Sequence, residues 1–235
     1  MKILALETAS DACSAALFSD NEIYQEYQVA PRAHTRLLLP MLEKVLAEGQ
    51  TSLQQIDAIA FSRGPGAFTG LRIAAGVTQG IAFSADKPVI AISTLAALAQ
   101  QALINQLDTE ETQTTVLAGL DARMQEVYWG EYQRQFDGEL KLIGNELVIK
   151  PEAISLSQPQ KAIAIGSAWQ VYGKQLQQRL STIKLDIIDN AYPQAQHIAQ
   201  LAVNAFNHKK LLTAEQAQPI YLRNNVAQKC KQSYR

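Results

Sequence analysis

The 235-residue chain is predicted to be α/β, and three observations carry that prediction. The opening residues read as an antiparallel meander of three strands. From Ile56 onward strand-like and helix-like segments alternate, as a partly parallel sheet requires. The pattern that opens the chain then recurs around Asp121, as internal duplication into two similar lobes would produce.

Lys2 to Leu6 reads as a buried strand. Cys13 to Phe18 and Glu22 to Val29 follow as strands, with Ser19-Asp20-Asn21 supplying a tight hairpin turn. Thr35 is the expected N-cap of a helix, TRLLLPMLEKVLAEG, with Glu43 and Lys44 on its polar side and Gly49 as its stop. Pro40 is discordant there, because an interior proline is expected to kink a helix. A strand at Ile56 to Ser62, a glycine turn, a helix from Gly70 to about Ser84, a strand at Pro88 to Ile92 and a helix capped by Ser93 or Thr94 complete the first half.

The run NQLDTEETQTT, Asn105 to Thr115, has no apolar period, and the domain boundary is placed within it, between residues 1–106 and residues 107–235. Beyond it, Leu120-Asp121-Ala122 echoes Leu6-Glu7-Thr8. Strands are expected near Leu142 to Ile149 and Ala162 to Ile165, and helices near Trp169 to Leu180 and from Gln194 to about Asn207. The last helix has Ala195, Ile198, Ala199, Leu201, Ala202 and Ala205 as its apolar positions. It and the tail are expected to pack back on the first lobe.

Composition narrows the function classes. With 47% hydrophobic and 18% charged residues, the chain can bury one large core or two small ones. A formal net charge of −1 argues against a domain that holds nucleic acid by charge alone, which needs a concentrated basic surface. The two cysteines, Cys13 and Cys230, make neither a disulfide framework nor a CxxC pair, which points to a reducing compartment. The apolar run before Glu7 is too short for a secretory segment. No other stretch approaches the roughly 20 apolar residues of a membrane span, so a cytoplasmic location is expected.

The turn Gly64-Pro65-Gly66-Ala67-Phe68-Thr69-Gly70 joins a strand to a helix, the context in which backbone N–H groups hold anions. Its spacing matches neither GxxxxGK[ST] nor GxGxxG, so a structural turn is the favoured reading. In the helix behind it, Gly76 and Gly80 lie four apart beside Ile73, Ala74 and Val77, leaving a flat strip that another helix can approach. Glycine in a helix interior costs roughly 1 kcal/mol against alanine, so two of them imply a packing reason. The alternative is a contact with the domain's own sheet. In the first helix Leu37, Leu38, Leu39, Met41, Leu42, Val45 and Leu46 cover more circumference than one sheet can bury, and part of that surface is expected to meet another chain.

No catalytic group stands out. His34, His197 and His208 form no HxxxH or HExxH pair, so no metal site is predicted. His34, near Arg32 and Arg36, reads as an exposed residue at a helix start. Ser10, Ser14 and Ser62 lack a GxSxG context, and Cys13 is expected to be buried and inert. Glu7 and Asp121 end equivalent strands, where α/β enzymes keep metal-binding or catalytic acids, and where a carboxylate also caps neighbouring backbone. Arg223, Lys229, Lys231 and Arg235 make the last segment basic, and it reads as a solvated tail.

Five segments, in order and spacing, resemble the bacterial TsaB (YeaZ) family over about the first 135 residues: ILALETAS with CSAALF, HTRLLLPMLEKVL, AFSRGPGAFTGLRIAAG, ISTLAALA and LDARMQEVYW. The resemblance implies an actin-like ASKHA fold of two RNase-H-like lobes with mixed sheets. It also implies a subunit of the machinery that makes N6-threonylcarbamoyladenosine at position 37 of tRNAs reading codons that begin with A. In that machinery the paralogue TsaD carries the transferase chemistry and TsaE is an ATPase. TsaD binds its metal through a histidine pair in the helix after the ISTL-like strand, whereas TLAALAQQALINQ, Thr94 to Gln106, has no histidine. AIGSAW, Ala164 to Trp169, has one glycine where an ATP-phosphate loop is glycine-rich.

What the resemblance implies is therefore a non-catalytic scaffold with no cofactor of its own. ATP or ADP is expected only at a shared complex interface. The expected partners are TsaD in a heterodimer, TsaE, a second copy in isolation, and tRNA indirectly through the complex. Leu38, Leu42, Ile73, Gly76, Val77 and Gly80 are the expected partner-binding residues, and Gly64, Gly66, Thr69 and Gly70 the turn that aims the second helix. Two rivals stand against this: an independent ATP-dependent enzyme of the actin or sugar-kinase type, and a metallopeptidase, which needs ligands the sequence does not offer.

Overall fold

Apolar strands of this kind need cover on both faces, and the helices supply it. The computed structural model describes residues 1–104, 114–136, 138–157 and 159–223. The first sheet contains β1 (Lys2–Glu7), β2 (Ala12–Ser19), β3 (Glu22–Val29), β4 (Ala58–Gly64) and β5 (Val89–Ser93), in the order β3-β2-β1-β4-β5. The first three form the expected antiparallel meander, and β4 and β5 add in parallel. Asp20 and Asn21, at φ 51° and 72°, make the hairpin turn in the left-handed conformation that Asp and Asn tolerate.

The second sheet contains β6 (Thr115–Asp121), β7 (Val127–Arg134), β8 (Leu140–Ile149), β9 (Lys161–Ile165) and β10 (Lys184–Ile188). Read as β8-β7-β6-β9-β10, it repeats the first sheet strand for strand, with the same antiparallel and parallel pairs. The echo of Glu7 at Asp121 thus reflects a duplicated sheet, in which β1 and β6 are equivalent. β10 lies outside the sequence expectation, because KLDII is short and carries an acid at its centre.

Helices α1 (His34–Glu48) and α2 (Phe68–Ala85) cover one face of the first sheet, where Leu38, Met41, Leu42 and Val45 meet Leu4, Leu6, Leu17 and Phe61. On its other face, Ala195, Ile198, Ala199 and Ala202 of α5 (Ala195–Asn207) meet Ile3, Ala5, Ala16, Ala58 and Ala60. Alanine on both sides of that contact lets the helix approach closely. Helix α3 (Thr94–Ile104) packs Leu95, Leu98 and Ala99 on Val116 and Ala118 of the second sheet, and α4 (Ser167–Arg179) covers that sheet's opposite face. Residues of the first half thus complete the second lobe, and α5 completes the first. The division at residue 106 follows the chain but not the packing; residues 105–113 lie outside the described residues.

Local expectations are corrected or narrowed at several points. α1 begins at His34 rather than Thr35, and no side chain caps it. Pro40 sits inside the helix on its exposed side, where water can satisfy the carbonyl left without a donor. α2 begins at Phe68, two residues before Gly70. Ser93 caps α3, its Oγ accepting from the N–H groups of Leu95 and Ala96 at 3.1 and 3.3 Å.

After α5 the chain forms a strap. Leu212 pairs with Val89 on the β5 edge, the Ile220 N–H donates to the Arg63 carbonyl at 2.7 Å, and Arg223 pairs with Glu126 in the second lobe. Arg223 is therefore engaged rather than part of a solvated tail. Lys229, Cys230, Lys231 and Arg235 lie outside the described residues. Among the described residues no helix is long and apolar enough to cross a membrane.

Candidate partner-docking face

The glycine turn is shaped by a close approach. A Cβ on Gly66 would stand 2.5 Å from the Ala9 carbonyl oxygen, and one on Gly70 would stand 1.9 Å from that of Thr8. The Ala67 N–H, which a phosphate would need, donates instead to the Ala9 carbonyl at 2.7 Å. Gly64 is left-handed at φ 107°. Thr69 lies exposed in the first turn of α2. The turn thus welds the start of α2 to the loop between β1 and β2.

His34 welds α1 to the same loop, its Nε2 lying 2.9 Å from the Ser10 carbonyl and 3.2 Å from that of Ala12. The expectation of an exposed histidine is corrected, since only 8% of His34 is accessible. Two helices therefore start from one anchored loop, which fixes their relative direction.

The outward face of α2 runs through Phe68, Arg72, Gly76, Gly80 and Phe83. Among the described residues, a Cβ on Gly76 or Gly80 would meet nothing within 4 Å. The two glycines thus do not serve a contact with the domain's own sheet. Phe83 is 79% exposed and Phe68 54%. Ile73 and Val77 are half-buried along the flank of this strip, against the core. Leu38 and Leu42 do not share the face: at 1% and 3% exposure they belong to this chain's own core. Leu38, Met41, Leu42 and Val45 follow the helical period toward the sheet, and Leu39, out of phase with them, is the exposed leucine. Sequence reasoning passed over Phe83 and Arg72, although both fall at helical spacing from the two glycines.

The acids at the strand ends cap backbone. Glu7 is fully buried and one of its oxygens accepts from the Ala9 N–H, while Oε2 has no partner among the described residues. Burial pushes its carboxyl up to about 7. Asp121 accepts from the Arg123 N–H at 2.8 Å and the Tyr172 hydroxyl at 3.2 Å. Cys13 is buried, and burial together with the nearby Glu7 pushes its thiol up to about 11. Among the described residues no three His, Cys, Asp or Glu side chains converge. Gly166 in AIGSAW is left-handed at φ 104°, and a Cβ there would stand 2.2 Å from the Gly119 carbonyl. Its role is to let the chain pass close to the backbone of β6 as it leaves β9 for α4.

Two clefts lie between the lobes. One, of about 510 Å³, is lined by Ser10, Asp11, Phe68, Asp121 and Arg123. At the floor of the other, of about 910 Å³, Glu146 accepts from the Ser93 and Tyr132 hydroxyls, with the Arg63 guanidinium 3.8 Å away. That cluster ties the lobes together with charge and hydrogen bonds satisfied internally.

A family model described as TsaD, tRNA N6-adenosine threonylcarbamoyltransferase, matches residues 16–232. The tRNA threonylcarbamoyladenosine biosynthesis protein TsaB of Escherichia coli K12 is 40% identical over 97% of each chain. The chain belongs to the TsaB (YeaZ) family. The solved YeaZ of Pseudomonas aeruginosa is 43% identical, with a TM-score of 0.85 over 94% of this chain and 99% of that one. The ROK hexokinase of Thermus thermophilus shares the fold at 11% identity, with a TM-score of 0.51 over 89% of this chain and 100% of that one. The duplicated sheets of this TsaB-family chain are those of the actin-like ASKHA fold.

Proposed function

We propose that this chain is a non-catalytic scaffold subunit in the formation of N6-threonylcarbamoyladenosine at position 37 of tRNAs that read codons beginning with A. In this reading it docks on its paralogue TsaD through the outward face of α2 and the adjoining edge of α1. The observation that carries it is the bare strip at Gly76 and Gly80, flanked by exposed Phe68 and Phe83. Two interior glycines weaken a helix, and nothing within this chain's described residues uses the space they leave.

The comparison of the lobes supports the same reading. Where α1 follows β3 in the first lobe, only a short 3-10 turn, Pro151–Ala153, follows β8 in the second. The duplication thus leaves a two-helix outer face on one lobe alone. Support for a non-catalytic role comes from Glu7 and Asp121, each of which is engaged in holding its own turn.

TsaE and tRNA join through the complex in this proposal, ATP or ADP sits at the shared interface, and the isolated chain pairs with a second copy through the same strip. The test is reconstitution of tRNA modification with TsaD, TsaE and the enzyme that supplies threonylcarbamoyl-AMP, with and without this chain. Modification that requires the chain is the expected result, and modification at the same rate without it overturns the proposal.

A further inference from the structure

We infer that the docking face continues past the glycines onto an anchor made of Phe68, Arg72 and Tyr221, and that this anchor receives a carboxylate from the partner protein. The inference rests on α2 being the docking helix. The Arg72 guanidinium lies over the Phe68 ring, 4.2 Å from its centroid. Its Nε donates to the Tyr221 hydroxyl at 3.3 Å, and the Phe68 and Tyr221 rings pack with centroids 5.6 Å apart.

All three side chains are nevertheless open to solvent: Phe68 is 54% and Tyr221 43% exposed, and Arg72 is exposed as well. Among the described residues Arg72 has no acidic partner. An arginine held by a ring and a hydroxyl has already lost much of its side-chain freedom, so pairing with a carboxylate costs it less entropy. Its terminal nitrogens present the fork that a carboxylate accepts bidentately. Arg72, Gly76 and Gly80 succeed one another at spacings of four, one turn apart along the same row, which makes the anchor continuous with the bare strip.

Tyr221 is delivered there by the strap. The Ile220 N–H to Arg63 bond, the Gln79 amide donating to the Ala217 carbonyl at 3.0 Å, and the Arg223–Glu126 pair fix its course. Gly64 belongs to this arrangement too, because a Cβ there would stand 2.8 Å from the Ile220 carbonyl. Arginine and tyrosine packed together at the end of a small-residue strip is the composition of an interface hot spot. The partner that fits has an apolar helix surface for the glycine strip and an aspartate or glutamate one turn along it.

The test is the dissociation constant of the full chain for TsaD, measured by calorimetry at low and high salt. Arg72→Glu is expected to weaken binding about 30-fold with an unchanged melting temperature, and Arg72→Lys to fall between it and the native chain because a point charge lacks the fork. Tyr221→Ala is expected to weaken binding about 5-fold or more. Native affinity should decline with salt, and that decline should vanish in Arg72→Glu. Native affinity in Arg72→Glu overturns the anchor. Gly76→Leu separates the two ideas: if it blocks binding while Arg72→Glu does not, the anchor alone fails, and if neither variant matters, the docking face itself fails.

Discussion

Thr8 and Gly70 touch through side chain and backbone at once: the Thr8 hydroxyl donates to the Gly70 carbonyl at 2.7 Å, and the Thr8 carbonyl oxygen leaves no room for a Cβ on Gly70. The obstructing atom is a backbone oxygen in the loop just past β1 and cannot rotate away as a side chain could. Gly70→Ala is therefore expected to destabilise the fold by at least about 2 kcal/mol. Gly76→Ala, in the same helix but facing open space, is expected to stabilise it by about 0.5–1 kcal/mol. Urea unfolding of the two variants checks the opposite signs.

Gly76→Leu and Gly80→Leu should fold with melting temperatures at or above the native one, since a Cβ at either position meets nothing within 4 Å among the described residues. On the proposed face each should reduce TsaD binding by at least about 100-fold through overpacking. Co-purification of both variants with TsaD at native yield would show that the strip lies elsewhere than the interface.

Leu38→Ala provides the contrast. As a core residue 1% exposed, it is expected to cost about 2–5 kcal/mol of stability. Below its melting transition the folded variant should bind TsaD with near-native affinity, measured by calorimetry, because Leu38 does not reach the outer surface.

Glu7 sets a pH dependence. Its carboxyl keeps a proton to about 7 in the folded chain and loses it near 4.5 when unfolded. The folded state thus binds more protons between those values, and stability declines as pH rises from about 4.5 to 7, by an amount on the order of 3 kcal/mol. Glu7→Gln should remove this component, gaining stability relative to the native chain as pH rises and levelling off above about pH 7. Urea midpoints measured from pH 4.5 to 8 test it; parallel curves for the two proteins would contradict the assignment.

His34→Ala leaves the Ser10 and Ala12 carbonyls without their ring donor. The expected loss is about 1–3 kcal/mol, with faster hydrogen exchange confined to the loop from Thr8 to Ala12 and the first turns of α1 and α2. Uniform acceleration over the whole first sheet would point to a general packing role instead.

Much of this was legible from local pattern. The Ser19-Asp20-Asn21 turn, the strand–glycine turn–helix unit and the Ser93 cap are short-range devices whose chemistry lies within a few residues. The recurrence of Leu6-Glu7-Thr8 at Leu120-Asp121-Ala122 likewise announced the second sheet. Leu38 and Leu42 were less legible, because a helix with seven apolar positions shows that some face outward without naming them. His34 was misread for a related reason: its burial depends on a loop more than twenty residues earlier in the chain.

The amino-acid sequence by itself settled the strand and helix periods, the glycines of the turn, the four-residue spacing of Gly76 and Gly80 and the family to which they belong, all properties of short segments or of their order; that the pair is bare came from the fold. The exchange of α3 and α5 between lobes, the burial of His34, the core position of Leu38 and the meeting of Arg72 with Tyr221, 149 residues apart, came only from the folded chain. Periodicity states which side of an element is apolar, but what covers that side depends on which distant segment is left with a matching surface once the sheets have formed.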